Sequence, residues 1–190
     1  MKNRKILSLV QAAMIAALYV VLTLIANMFG LASGNIQIRF SEALTILPFF
    51  TPAAIPGLYI GCLLSNVVAG CALPDIIFGP LATLLGALGT WALGKAARKA
   101  AVSATSGSVK GKADVGHSRS AKLFTVLSPL PPILANAVII PPVLKYAYGI
   151  TPIWFSIATV TIGEIISCGV FGLILLFSLD KYKAQLFGRN

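Results

Sequence analysis

Apolar runs long enough to cross a bilayer, separated by short polar clusters, set the pattern of this chain. Ile6 to Phe29 is nearly uncharged and predicts about 36 Å of helix at ~1.5 Å per residue, against a hydrocarbon core of ~30 Å. Its apolar run far exceeds the ~7–15 residues of a signal-peptide core, so it reads as a retained span. Pro74 to Leu93 predicts another span, closed by Trp91 and Lys95 as an interface anchor pair. Leu123 to Tyr148 and Pro152 to Leu179 predict two more. Between Ala32 and Gly70 hydropathy is less decisive. Pro48, Pro52 and Pro56 punctuate it, which suits one helix ending near Phe50 and another beginning near Pro52 or Pro56.

Charge resolves the count. All fifteen Lys and Arg except Arg39 and Lys145 fall in three blocks: Lys2, Arg4 and Lys5; Lys95 to Lys122; and Lys181, Lys183 and Arg189. Basic loops stay cytoplasmic, so an even number of crossings separates each block from the next. The expectation is an all-α protein of the cell membrane with six transmembrane helices and both termini cytoplasmic. Parity then makes Gln37 to Phe50 a second span, short and carrying Arg39 and Glu42 near its outer end, tolerable where protein covers that end.

Composition agrees. Of 190 residues, 57% are hydrophobic and 11% charged, with a formal net charge of +10; soluble domains average ~25% charged, and disorder needs far less apolar material. Cys62, Cys71 and Cys168 lie in apolar runs and read as small hydrophobes, not a disulfide framework. The chain reads as a single integral membrane domain over 1–190. From Ala100 to Ala121 it turns to Ser, Gly, Lys and Ala, predicting a flexible basic cytoplasmic loop over 97–122 between helices four and five. Contact of this loop with anionic lipid is one reading and a solvated loop another. Because the basic charge reports orientation, no nucleic-acid partner is expected. His117 has no neighbour with which to hold a metal.

The chain has no G-x-x-x-x-G-K-S/T nucleotide site, no H-E-x-x-H pair and no G-x-S-x-G elbow. No cofactor and no catalytic residue are expected. Polar groups inside the spans are the remaining chemistry, since each is costly in lipid. Glu164, about 18 Å deep in the last span, is the foremost; the alternative is a buried carboxyl bonded to a neighbouring helix. Asn66 and Asn136 are either ligand contacts or interhelical glue. Asp75 either caps the fourth helix or meets ligand, and Arg39 and Glu42, spaced i, i+3, are expected to pair with each other, the alternative being that either lines a pocket entrance. Under one topology Gln37, Arg39, Glu42, Asn66, Asp75, Asn136 and Glu164 all map to the outer half. Carboxylates with amides there suit a polar, cationic or purine-like solute, with Phe40, Tyr59, Phe78, Tyr146 and Trp154 available as stacking faces or as ordinary interface aromatics. Ala12, Ala13, Ala16 and Ala17 form two overlapping small-x-x-x-small pairs on the first span, for internal packing or for docking a partner. Gly57 with Gly61, and Ala82 with Gly86, read as internal packing.

Ile36-Gln37-Ile38-Arg39-Phe40-Ser41-Glu42-Ala43-Leu44-Thr45-Ile46-Leu47-Pro48-Phe49-Phe50, continuing to Cys62, and Asp75-Ile76-Ile77-Phe78-Gly79-Pro80-Leu81-Ala82-Thr83-Leu84-Leu85, resemble the QueT family of substrate-binding S components of energy-coupling factor (ECF) transporters. The resemblance runs from the first span through the last and is weakest over Ala100–Lys122. It implies a six-helix S-component bundle, embedded in membrane lipid, that captures a queuosine precursor from outside. Its partners would be an ECF module of one transmembrane scaffold and two cytoplasmic ATPases. The family's alanine docking motif falls on Ala13 and Ala17, or in the adjacent register on Ala12 and Ala16. A 7-deazaguanine base with an aminomethyl group, or queuine, would suit Glu164 with Glu42 or Asp75 as second carboxylate. Another vitamin such as cobalamin, an autonomous secondary transporter and a small intramembrane enzyme using Glu164 are the alternatives.

Overall fold

The computed structural model describes residues 2–30, 38–106 and 119–182, and among them there is no β-strand. Helix α1 runs Lys2–Met28, α2 Ala54–Val68, α3 Leu73–Ser106, α4 Arg119–Val126, α5 Leu130–Tyr148, α6 Ile153–Glu164 and α7 Gly172–Asp180. A 3-10 helix, Phe40–Phe49, lies between α1 and α2, and a π-helical segment, Ile165–Phe171, joins α6 to α7 in one rod. Among the described residues, four helical stretches are long and apolar enough to cross a membrane: Lys5–Met28, Leu73–Ser103, Arg119–Tyr148 and Ile153–Asp180. Phe40–Phe49 and Ala54–Val68 are apolar but shorter.

The second of the six expected spans is where the architecture departs furthest from expectation. Ten residues in 3-10 geometry extend about 20 Å at ~2.0 Å per residue, where an α-helix would give about 15 Å. Neither crosses a ~30 Å core alone. Every residue from Ser41 to Phe49 is buried, so the element is a central strut that meets protein instead of lipid. The helices surround it. α1 packs on α2, α2 on α3, α3 on α5 and α5 on α6, while the strut touches α1, α2, α3, the π segment and α7. Its apolar side chains enter two cores: Leu44 and Leu47 join Ile15, Tyr19 and Leu58, and Ile46 and Phe49 join Ala97 and Leu176. Its C-terminal end is held where Arg98 Nη1 donates to the Phe49 carbonyl at 2.7 Å.

Small residues determine how α1 meets α2. A Cβ on Gly57 would fall 2.6 Å from the Ala12 carbonyl oxygen, and one on Gly61 would fall 2.8 Å from Tyr19 Cβ and 3.0 Å from the Ala16 oxygen. Ala12 and Ala16 therefore face α2, while Ala13 and Ala17 are exposed beside Met14 and Leu18. That assigns the two overlapping alanine registers to opposite faces.

The stretch expected as a loop over 97–122 is helical at both of its ends. α3 continues to Ser106 and α4 begins at Arg119. No Gly or Pro interrupts Lys95 to Ser106 and alanine dominates it, so helix propagation costs little there. Residues 107–118, with His117, lie outside the described residues. α5 ends at Gly149, whose φ of 68° is a left-handed cap that glycine adopts without Cβ strain.

Candidate substrate site

The strut, α3, α5 and α6 converge on one buried cavity, and each contributes two lining residues. Arg39 and Glu42 come from the N-cap and first turn of the strut, Gly79 and Thr83 from α3, Asn136 and Ile140 from α5, and Val160 and Glu164 from α6. Glu42, Asn136 and Glu164 are 2%, 4% and 7% exposed, so three costly polar groups share one water-poor space. The cavity is closed to about 10 Å³, room for a single water and far below the ~300–1,000 Å³ of ligand pockets. A base-sized ligand therefore enters only as these elements part.

Each carboxylate has one oxygen engaged by the protein. The Tyr19 hydroxyl of α1 donates to Glu42 Oε1, and the Cys168 thiol of the π segment donates to Glu164 Oε2 at 3.0 Å. Glu42 Oε2 is buried and makes no hydrogen bond. Asn136 sits close enough to both carboxyl groups to interact with each, although its amide nitrogen makes no hydrogen bond of normal length. Cys168 also meets Thr45 Oγ1 and the Glu42 carbonyl, each at 3.3 Å, stitching the π segment to the strut. The tightened and the widened helix thus abut at the cavity. π segments are frequent at functional sites because the extra residue re-aims side chains.

The rim is closed by an ion pair. Arg39 Nη2 lies 3.7 Å from Asp75 Oδ2, a carboxylate at the start of α3, while Glu42, the partner expected three residues along, lies within electrostatic reach of the same guanidinium. Glu42 turns inward to Tyr19 because its side chain faces α1. The Tyr148 hydroxyl donates to Asp75 Oδ2 at 3.4 Å and accepts from the Ala72 amide at 3.0 Å. Three carboxyl groups, Glu42, Asp75 and Glu164, thus share one guanidinium. In low dielectric that arrangement favours a ligand that presents positive charge or N–H donors.

The other expected site residues fall elsewhere. Asn66 Nδ2 donates to the Asp75 carbonyl at 3.0 Å, tying α2 to α3 outside the cavity lining. Phe40 packs edge-on against Phe171, with ring centroids 5.8 Å apart, and Phe78 is exposed. Tyr146 and Trp154 are exposed as well. No expected stacking aromatic lines the cavity; its apolar walls are Ile140 and Val160. Gln37 lies outside the described residues. Tyr19, Thr83 and Cys168 were not foreseen. Cys168 had a usable signal, since it stands four residues after Glu164 on the same helical face.

Glu42, Glu164 and Cys168 each offer a possible metal-ligand atom within 4.8 Å of the others. A thiol beside two carboxylates matches no single metal's preference well.

The model of the QueT transporter family matches residues 9–181. The chain belongs to the QueT transporter family. A relative from Lactococcus lactis subsp. cremoris (strain MG1363), the queuosine precursor transporter QueT, is 39% identical over 85 residues, covering 45% of this chain and 50% of the relative. The chain thus matches about half the length of that relative. No solved structure matches it. Membership agrees with the helical, apolar architecture, and the QueT match extends across all four elements that line the cavity.

Proposed function

We propose that this QueT-family chain is the substrate-binding S component of an ECF transporter, capturing a queuosine precursor from outside for uptake driven by partner ATPases. The observation that carries the substrate half is the buried set Glu42, Asn136 and Glu164 in one cavity. Two carboxylates accept from the ring N–H and exocyclic amine of a 7-deazaguanine base, and an amide donates to its carbonyl. The relative named as a queuosine precursor transporter supports the same solute. The proposed architecture is six crossings of the cell membrane with both ends cytoplasmic, α2 being a short third and the protein-sheathed strut, too short to span the core alone, forming the central part of the second. The basic blocks on one side of that topology support it.

The partner half rests on two features. The sequence has no nucleotide-binding motif of its own. Ala13 and Ala17 leave a smooth exposed stripe on α1, while Ala12 and Ala16 are used against α2. Close approach of a scaffold helix needs such a stripe. The test is uptake of 7-aminomethyl-7-deazaguanine into liposomes containing this chain with and without an ECF module and ATP. Uptake that requires both supports the proposal. ATP-independent flux by the chain alone overturns it in favour of a secondary transporter, and so would full coupled uptake by Ala13→Trp for the docking face.

A further inference from the structure

Tyr19 lies in the middle of α1 at 1% exposure, with its Cβ against the position of Gly61 and its hydroxyl on Glu42 Oε1. One turn further on, Thr23 Oγ1 donates to the Tyr19 carbonyl at 2.9 Å and accepts from the Ser41 hydroxyl at 2.8 Å, fixing α1 against the N-terminal end of the strut. A carboxylate bonded through one oxygen to a rigid phenol loses its freedom to rotate about its last bond. The remaining oxygen then points in one direction. Here that oxygen, Glu42 Oε2, is buried beside Asn136 and Glu164 and has no hydrogen-bond partner, although such a group costs about 1–3 kcal/mol to leave unsatisfied. A protein that spends a buried phenol on one oxygen and leaves the other bare has left an acceptor aimed into the cavity.

We infer that Tyr19 is a positioning residue for ligand capture: it holds Glu42 Oε1 so that Oε2 is presented, pre-oriented, to an N–H or ammonium donor of the solute. This deepens the substrate reading above and rests on it. The gain is pre-organisation, since a carboxylate already aimed need not be ordered by the ligand. A purely structural Tyr19, present only to satisfy a buried acid, would affect folding but would not depend on Glu42 for its effect on binding.

A double-mutant cycle separates the two. The full chain in nanodiscs is titrated calorimetrically with 7-aminomethyl-7-deazaguanine, for wild type, Tyr19→Phe, Glu42→Gln and the double variant, each with a thermal melt. Tyr19→Phe keeps the ring and its packing; it is expected to lose five- to thirtyfold in affinity. Glu42→Gln is expected to lose tenfold or more, and the double variant should bind within twofold of Glu42→Gln. Wild-type affinity in Tyr19→Phe, or its full penalty persisting beside Glu42→Gln, overturns the role of Tyr19 while leaving the substrate reading intact. Absence of binding by wild type overturns the substrate reading and this inference with it. If Tyr19→Phe does not fold, the infrared carboxyl stretch of Glu42, isolated as wild type minus Glu42→Gln, decides in its place. A shift on ligand addition supports a bare, aimed oxygen, and an unchanged band overturns it.

Discussion

The Cys168 thiol and the Glu164 carboxylate lie one turn apart on the same rod, joined by a 3.0 Å hydrogen bond across the change from α to π geometry. Since Cys168 also touches Thr45 and the Glu42 carbonyl, one small side chain links both acid-bearing elements. Cys168→Val keeps the volume and removes the donor, whereas Cys168→Ser keeps a donor. Calorimetry should find the valine variant weakened about five- to twentyfold, from loss of a hydrogen bond to a buried carboxyl group, and the serine variant within about threefold of wild type. Equal affinity in all three would remove the thiol from any part in binding.

The rim pair makes a stability prediction. Asp75 is 3% exposed on its side chain and Arg39 16%, so Arg39→Gln strands a carboxylate in a mostly dry place. Thermal unfolding in detergent should show a loss of about 2–4 kcal/mol, and Arg39→Gln with Asp75→Asn should lose less than the sum of the two single changes. Additive losses would mean that the two charges do not interact.

Gly57 tests the seam between α1 and α2. Gly57→Ala drives a Cβ to 2.6 Å from a backbone oxygen that cannot swing aside, and should cost about 1–3 kcal/mol in the same melt. Ala13→Leu, on the exposed register, should leave the melting temperature within a degree or two. It should instead abolish co-purification with an ECF module.

Asn66 separates glue from ligand contact. Its amide bonds the Asp75 carbonyl, so Asn66→Ala should destabilise by about 1–2 kcal/mol, with ligand affinity per folded molecule unchanged within about twofold. A tenfold loss of affinity at full stability would return Asn66 to the binding set.

The long spans were legible because lipid demands uninterrupted apolar length, which hydropathy reports directly. α1 and the α6–α7 rod emerge near their expected limits, while the span expected over Leu123 to Tyr148 is divided between the end of α4 and α5. The strut was not legible as such. Its apolar composition suits a short span, and only packing reveals that protein surrounds it on every side. The helical continuation of α3 to Ser106 was masked by Lys and Ser, which mark a polar surface without forbidding helix.

Within the cavity, buried acids and amides stood out against an apolar background, and Glu42, Asn136 and Glu164 meet there. Side-chain direction was harder. Phe78 and Gly79 are neighbours in sequence, yet the helical rotation between them sends one outward and the other into the lining. Tyr19 was hidden for a related reason. A tyrosine in an apolar run resembles any interface aromatic until its hydroxyl is seen to meet an acid on another element. Likewise, the two alanine registers became distinct only once the glycines of α2 were located against one of them.

The backbone-to-backbone seating of α1 on Gly57 and Gly61 has a mechanical corollary. With no side-chain cushion between them, the two helices have little room to slide or roll independently, so they behave as a single plank. Tyr19 is fastened to that plank two residues beyond Ala17. Any partner that grips the outer edge of α1 is therefore also holding the handle of the Glu42 carboxylate, and a tilt of the plank would be felt at the solute.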